Sequence, residues 1–195
     1  MNAFMPQPPT QTPTRHRFTA DEVTRIVQLG LISPDARFEL LDGDLIDMPS
    51  EGPVHINYKI LLNRFLVRHL SDDLWVAPDA TLHLAPMDAP EPDLYVVPAG
   101  VELKPITPAN VLLVIEIADS SLGYDLGRKA AKYAAYELSE YWVVDVAARQ
   151  THILRAPEAC AYQHITSLPF DQPLSAVRLP DLGLVIADLN GLAKT

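Results

Sequence analysis

The sequence predicts an α+β, or mixed α/β, domain curved around one cleft, and three observations carry that reading. An Asp42-Gly43 turn sits between alternating apolar and polar residues, an almost wholly apolar run spans Val111 to Ile117, and helical periodicity recurs over Val54–Leu70 and Tyr124–Leu138. The resulting order of helix, hairpin, helix, strands, helix, strands gives a mixed sheet flanked by helices.

Thr19 precedes Asp21 and Glu22, followed by Val23, Ile26, Val27 and Leu29 and closed by Gly30, which predicts a short amphipathic helix with Thr19 as its N-cap. Arg37 to Met48 alternates across the Asp-Gly turn and reads as a β-hairpin that carries Glu39 on its first strand. Over Val54–Leu70 the apolar residues Ile56, Ile60, Leu61, Phe65, Leu66 and Leu70 give the clearest helix of the N-terminal half. Short β-rich runs follow at Leu74–Ala77, Ala80–Leu84, Asp93–Val97 and Val111–Ile117, separated by proline-marked loops. The last is apolar enough to be a central strand covered on both faces. Alanines 130, 131, 134 and 135 with Leu126, Tyr133 and Tyr136 form the next helix. Glu140–Asp145 and Gln150–Leu154 pair about a turn at Ala147–Arg149, with Tyr141 and Trp142 as core side chains. Segments near Tyr162–Ile165, Val177–Leu179 and Leu184–Ile186 are expected to close a small antiparallel sheet.

The 195 residues, 48% hydrophobic, suffice for one sizeable core, so a single domain over residues 18–195 is expected. Residues 1–17 hold Pro6, Pro8, Pro9 and Pro13 with almost no periodic apolar residues, and read as a flexible arm. That arm lacks the unbroken apolar stretch of a secretory signal, and no window approaches the roughly 18 apolar residues of a membrane helix. The single Cys160 excludes an internal disulfide and a cysteine zinc cage, and a soluble cytoplasmic protein is expected. A net charge of -10 argues against nucleic acid, which favours a basic footprint, although acids gathered at a metal site are offset by bound cations.

Cutting a phosphodiester with metal ions requires hard oxygen ligands, an activated water and a cation for the developing charge. Asp93, after Pro92, and Glu116, near the end of the apolar run, supply carboxylates at strand ends, and Lys129 and Lys132 lie on the following helix. Taken singly, each acid is equally an exposed strand-end residue and each lysine a solvated helix residue. His83, His152 and His164 show no ligand spacing, Ser120-Ser121 lacks a nucleophile elbow, and there is no glycine-rich phosphate loop.

Taken together, the residues resemble a known family. Phe38 to Pro49, His55 with Leu62 and Leu66, Pro92-Asp93-Leu94, Val114 to Ser121, Asp125 to Tyr133 and Glu140 to Asp145 occur in order. This pattern is similar to that of the Uma-type restriction endonuclease family, formerly a domain of unknown function, within the PD-(D/E)XK nuclease superfamily. The resemblance runs from Phe18 to Leu189 and implies a restriction-endonuclease-like core.

It implies that Asp93 and Glu116 bind Mg²⁺ or Mn²⁺, with the carbonyl of Ile117 as a further ligand and Glu39 as the upstream acid. The superfamily's usual lysine two residues after the glutamate is replaced by Ala118, and Lys129 on the next helix takes its place. Lys132 is the weaker candidate for that role. His55 is either a proton carrier or phosphate contact or a helix-start residue bonding a loop, while Asp125 and Tyr133 orient the lysine or pack the helix. The expectation is a Mg²⁺-dependent endonuclease acting on DNA as a homodimer; the competing reading is a catalytically silent nuclease fold serving as an interaction or regulatory module.

Overall fold

The computed structural model describes residues 15–33 and 35–189. Residues 1–14 of the expected N-terminal arm, and residues 190–195 of the expected domain, lie outside the described residues.

Helix α1 (Ala20–Gln28) starts as its sequence requires: the Thr19 hydroxyl accepts from the Glu22 amide, and the Glu22 carboxylate accepts from the Thr19 amide. The hairpin β1 (Phe38–Leu41) and β2 (Asp44–Asp47) turns through Asp42 and Gly43, both with positive φ, the pair that a tight hairpin turn of the right twist demands. Helix α2 (Pro53–His69) buries Tyr58, Leu61, Leu62, Phe65 and Leu66. Burial of one such side chain contributes roughly 1.5–3 kcal/mol.

Six strands form the main sheet: β3 (Leu74–Pro78), β4 (Leu94–Pro98), β5 (Leu113–Ala118), β6 (Glu140–Asp145), β7 (Gln150–Glu158) and β8 (Ala161–Pro169), in that spatial order. Only β5 and β6 run parallel, and the connection between them is a composite helix α3 over residues 122–135. It consists of an α turn (Leu122–Tyr124), a π-helical stretch (Asp125–Lys129) and an α segment (Ala130–Ala135). A small antiparallel pair, β9 (Pro173–Ala176) and β10 (Leu179–Val185), packs with α2 on one face of the sheet. Helix α3 covers the other face with Ala130, Tyr133 and Ala134. Every residue of β5 and β6 is buried, as expected for central strands covered on both sides.

Two expectations are corrected. The strand expected at Ala80–Leu84 is a loop, held by Leu82 donating to the Pro90 carbonyl and Leu84 to the Asp88 carbonyl. Prolines at 86, 90 and 92 remove amide donors that a continuous ladder needs. Tyr162–Ile165 belongs to a nine-residue edge strand of the main sheet, and Val177 lies in the turn between β9 and β10, which form the small sheet by themselves.

Candidate active site

Strand register places the two acids. Leu94 pairs with Ile115 across the antiparallel β4–β5 ladder, so the next position outward sets Asp93 against Glu116. The alternation along β5 sends Ile115 and Ile117 to the α2 face and Val114 and Ala118 to the α3 face. Glu116 thus faces α3, where Lys129 and Tyr133, one turn apart, both reach it. The Lys129 ammonium donates to Glu116 Oε1 at 2.8 Å and the Tyr133 hydroxyl to the same oxygen at 3.1 Å. Lys129 closes the π-helical stretch, an irregularity that often marks functional helices.

Asp93 is fixed from two sides. Its Oδ2 accepts from the Ile117 amide at 2.7 Å and lies 3.0 Å from Nε2 of His55. The backbone amide of Asp93 points to Glu116 Oε2 at 3.4 Å. Glu39, 1% exposed, stands behind this pair: its Oε2 is 3.5 Å from the Lys129 ammonium and its Oε1 accepts from the Tyr124 hydroxyl. Asp125 accepts from Ser121 and keeps its side chain beside the cluster. Lys132 points elsewhere, to Asp42 and, at 3.0 Å, to Asp88, where it ties α3 to the β1–β2 hairpin. Of the residues singled out in the sequence, Asp93, Glu116, Lys129, Asp125 and His55 line one cleft of about 300 Å³, with Glu39 and Tyr133 behind it.

This wall of the cleft carries excess negative charge. Glu39 and Glu116 contact the Lys129 ammonium, with Asp125 close by, while Asp93 lies beside Glu116. Burial pushes Glu116 well above the ordinary carboxylate range, opposed by Lys129 and reinforced by Asp93 and Asp125. Burial also raises Asp125, while for Lys129 the surrounding carboxylates outweigh burial and keep it charged. A divalent cation beside Asp93 and Glu116 would offset such an excess, since paired carboxylates are the hard oxygen donors that Mg²⁺ and Mn²⁺ take.

Of the opposite wall, only His55 was singled out in the sequence. Glu51, just before α2, places Oε1 against the Arg37 guanidinium and Oε2 against the Lys59 ammonium, with Nδ1 of His55 3.3 Å from Oε2. Lys59 also binds Asp79 and lies 3.8 Å from Asp93. Burial works against the His55 charge, but Asp93 and Glu51 outweigh it and raise its pKa. Glu51, His55 and Asp93 also bring one donor atom each within 4.8 Å of one another, close enough to hold a metal ion. The sequence signal for this wall was faint: a carboxylate four residues before a histidine, ahead of a helix that contains no acid.

The family model described as Uma2, putative restriction endonuclease, matches residues 22–188. A solved structure described as a putative nuclease belonging to DUF820, from Anabaena variabilis ATCC 29413, superposes with a TM-score of 0.67 at 15% identity. The match covers 89% of this chain and 98% of that one, and at this identity it speaks for the fold. No curated protein matches the sequence. No helix among the described residues is long and apolar enough to cross a membrane.

Proposed function

Since the chain belongs to the Uma2 restriction endonuclease family, we propose that it hydrolyses DNA phosphodiester bonds with Mg²⁺ or Mn²⁺ held by Asp93 and Glu116. The observation that carries this reading is the placement of both carboxylates side by side in one cleft, with Glu39 and Asp125 buried next to them. The carbonyl of Ile117 serves as a further ligand. We take residues 18–195 as one catalytic unit that works as a homodimer, the arrangement suited to cutting both strands.

In this reading each residue has a distinct task. Asp93, held by the Ile117 amide and His55, and Glu116, held by Lys129 and Tyr133, present fixed oxygens toward the cleft. The ion, when bound, supplies Lewis acidity toward the phosphate oxygens and favours ionisation of water. Lys129 orients Glu116 and places a permanent positive charge next to where negative charge develops. Glu39 and Tyr124 fix Lys129 from behind. His55, reaching Asp93 from the cleft side, is placed to carry a proton.

Glu51, His55 and Asp93 offer a second position for the ion, but Glu51 is already engaged by Arg37 and Lys59. Two cations beside a ligand carboxylate weaken it as a metal donor, and this favours the Asp93–Glu116 position. The net charge of -10 favours the competing reading, a silent module that keeps the fold. Mn²⁺-dependent nicking of supercoiled plasmid decides between them: the nuclease nicks, and Asp93→Asn and Glu116→Gln do not. A wild-type protein that binds Mn²⁺ yet leaves plasmid intact is the silent module.

A further inference from the structure

Resting on that reading, we propose that the wall opposite the metal ligands is a phosphate seat formed by Arg37, Lys59 and His55, which the Glu51 carboxylate occupies until a phosphodiester displaces it. Three cationic or protonatable groups from two segments converge on one carboxylate. Arg37 precedes β1, Lys59 and His55 lie on α2, and Glu51 comes from the short connection between β2 and α2. Arg37 and Lys59 take one oxygen each, so the carboxylate is clasped as two phosphate oxygens are clasped by a pair of cations.

The surroundings match an anion rather than a permanent ion pair. Helix α2 begins at Gly52 with no side-chain cap and no acid in its first turn, leaving its positive end toward the cleft that Gly52 lines. The whole helix carries no aspartate or glutamate in a chain whose net charge is -10. Arg37, Glu51 and His55 line the cleft that also holds Asp93 and Glu116, with Lys59 buried behind Glu51, so an anion in the place of the Glu51 carboxylate lies alongside the metal ligands. Lys59 is 3.8 Å from Asp93, which joins the two walls directly.

Glu51 differs from the acids opposite in how it is held. Glu116 sits inside a central strand, whereas Glu51 is in a connecting segment two residues from the start of α2, where a side-chain rotation moves its carboxylate without disturbing a ladder. Displacement frees Arg37 and opens one contact of Lys59, which stays bound to Asp79, so the departing carboxylate removes one negative charge from the place the phosphate takes. This explains how an acidic protein accepts a polyanion: the positive charge is local, and it is covered until the ligand arrives.

The test is binding without metal. In EDTA, the full-length protein is titrated with inorganic phosphate and with a short DNA duplex. Glu51→Gln is expected to bind both about tenfold more tightly than wild type, the effect of freeing one charge-assisted contact. Asp47→Asn, which removes the same charge from an exposed cleft residue that leaves the clasp intact, is expected to change binding far less. Arg37→Ala, at a half-exposed position where folding is not at risk, weakens duplex binding and lowers its salt dependence by about one unit of slope.

Equal gains in Glu51→Gln and Asp47→Asn overturn the seat and leave only a bulk charge effect. So does a Glu51→Gln protein that is folded by circular dichroism and binds no better. Because these titrations need neither metal nor turnover, they separate from the nuclease reading: nicking with no Glu51→Gln gain refutes the seat alone, and a gain without nicking refutes the nuclease alone.

Discussion

The two walls of the cleft hold their charges differently. On one, a single ammonium, Lys129, is shared by Glu116 and Glu39; on the other, Glu51 meets Arg37, Lys59 and His55, while Lys59 also binds Asp79 and His55 also reaches Asp93. They differ in depth. Lys129 is 1% exposed and is anchored between a central strand and a helix, while Arg37 is nearly half exposed. A buried excess of one charge sign is relieved by a counter-ion or by proton uptake, and a pair with one half-exposed member, such as Arg37–Glu51, can exchange partners. On the proposed reading the metal belongs to the deep wall and the phosphate to the other.

The largest expected effect breaks the deep wall. Lys129→Met leaves Glu39 and Glu116 buried without their cation, and a loss of about 3–5 kcal/mol in urea unfolding is expected, together with loss of nicking. A stability close to wild type shows that the carboxylates take up protons instead, and the charge-excess argument fails.

Next comes ligand removal. Mn²⁺ at a hundredfold over its dissociation constant is expected to stabilise the wild type by about 2.7 kcal/mol, seen as a rise in melting temperature. Glu116→Gln, similar in shape but without the charge, is expected to show no such rise. A smaller effect marks the shallow wall: Arg37→Ala is expected to cost under about 1 kcal/mol of stability, as a half-exposed pair does, while lowering nicking about tenfold. The contrast sharpens if stability and activity separate in this way at Arg37 and fall together at Lys129.

The smallest effect on activity belongs to Lys132→Ala. Its ammonium ties Asp42 and Asp88 away from the cleft, so about 1 kcal/mol of stability is expected to go with nicking unchanged. Loss of nicking there indicates that the β1–β2 hairpin must stay docked on α3 for the reaction.

The deep wall was legible in the sequence because local patterns fix it. The Asp42-Gly43 turn sets the hairpin that carries Glu39, the apolar run sets β5, and the alanine-rich stretch sets the helix that carries Lys129. The π-helical register that brings Lys129 and Tyr133 onto one oxygen left no periodic signal, and neither did the reach of Tyr124 to Glu39. The shallow wall was hidden because it is assembled from distant segments: Arg37, Glu51, Lys59 and Asp79 meet only once α2 packs on the sheet. The β-rich residues misled at Ala80–Leu84, where Leu82 and Leu84 bond across to a segment punctuated by Pro86, Pro90 and Pro92 that supplies few amide donors.

The central claim is that Asp93 and Glu116 share one divalent cation, and calorimetric titration with Mn²⁺ tests it most directly. The expected result is binding by the wild type that persists in Glu51→Gln and His55→Gln and is lost in Asp93→Asn and Glu116→Gln. Binding that survives Glu116→Gln and disappears with Glu51→Gln or His55→Gln contradicts the claim and moves the ion to the opposite wall.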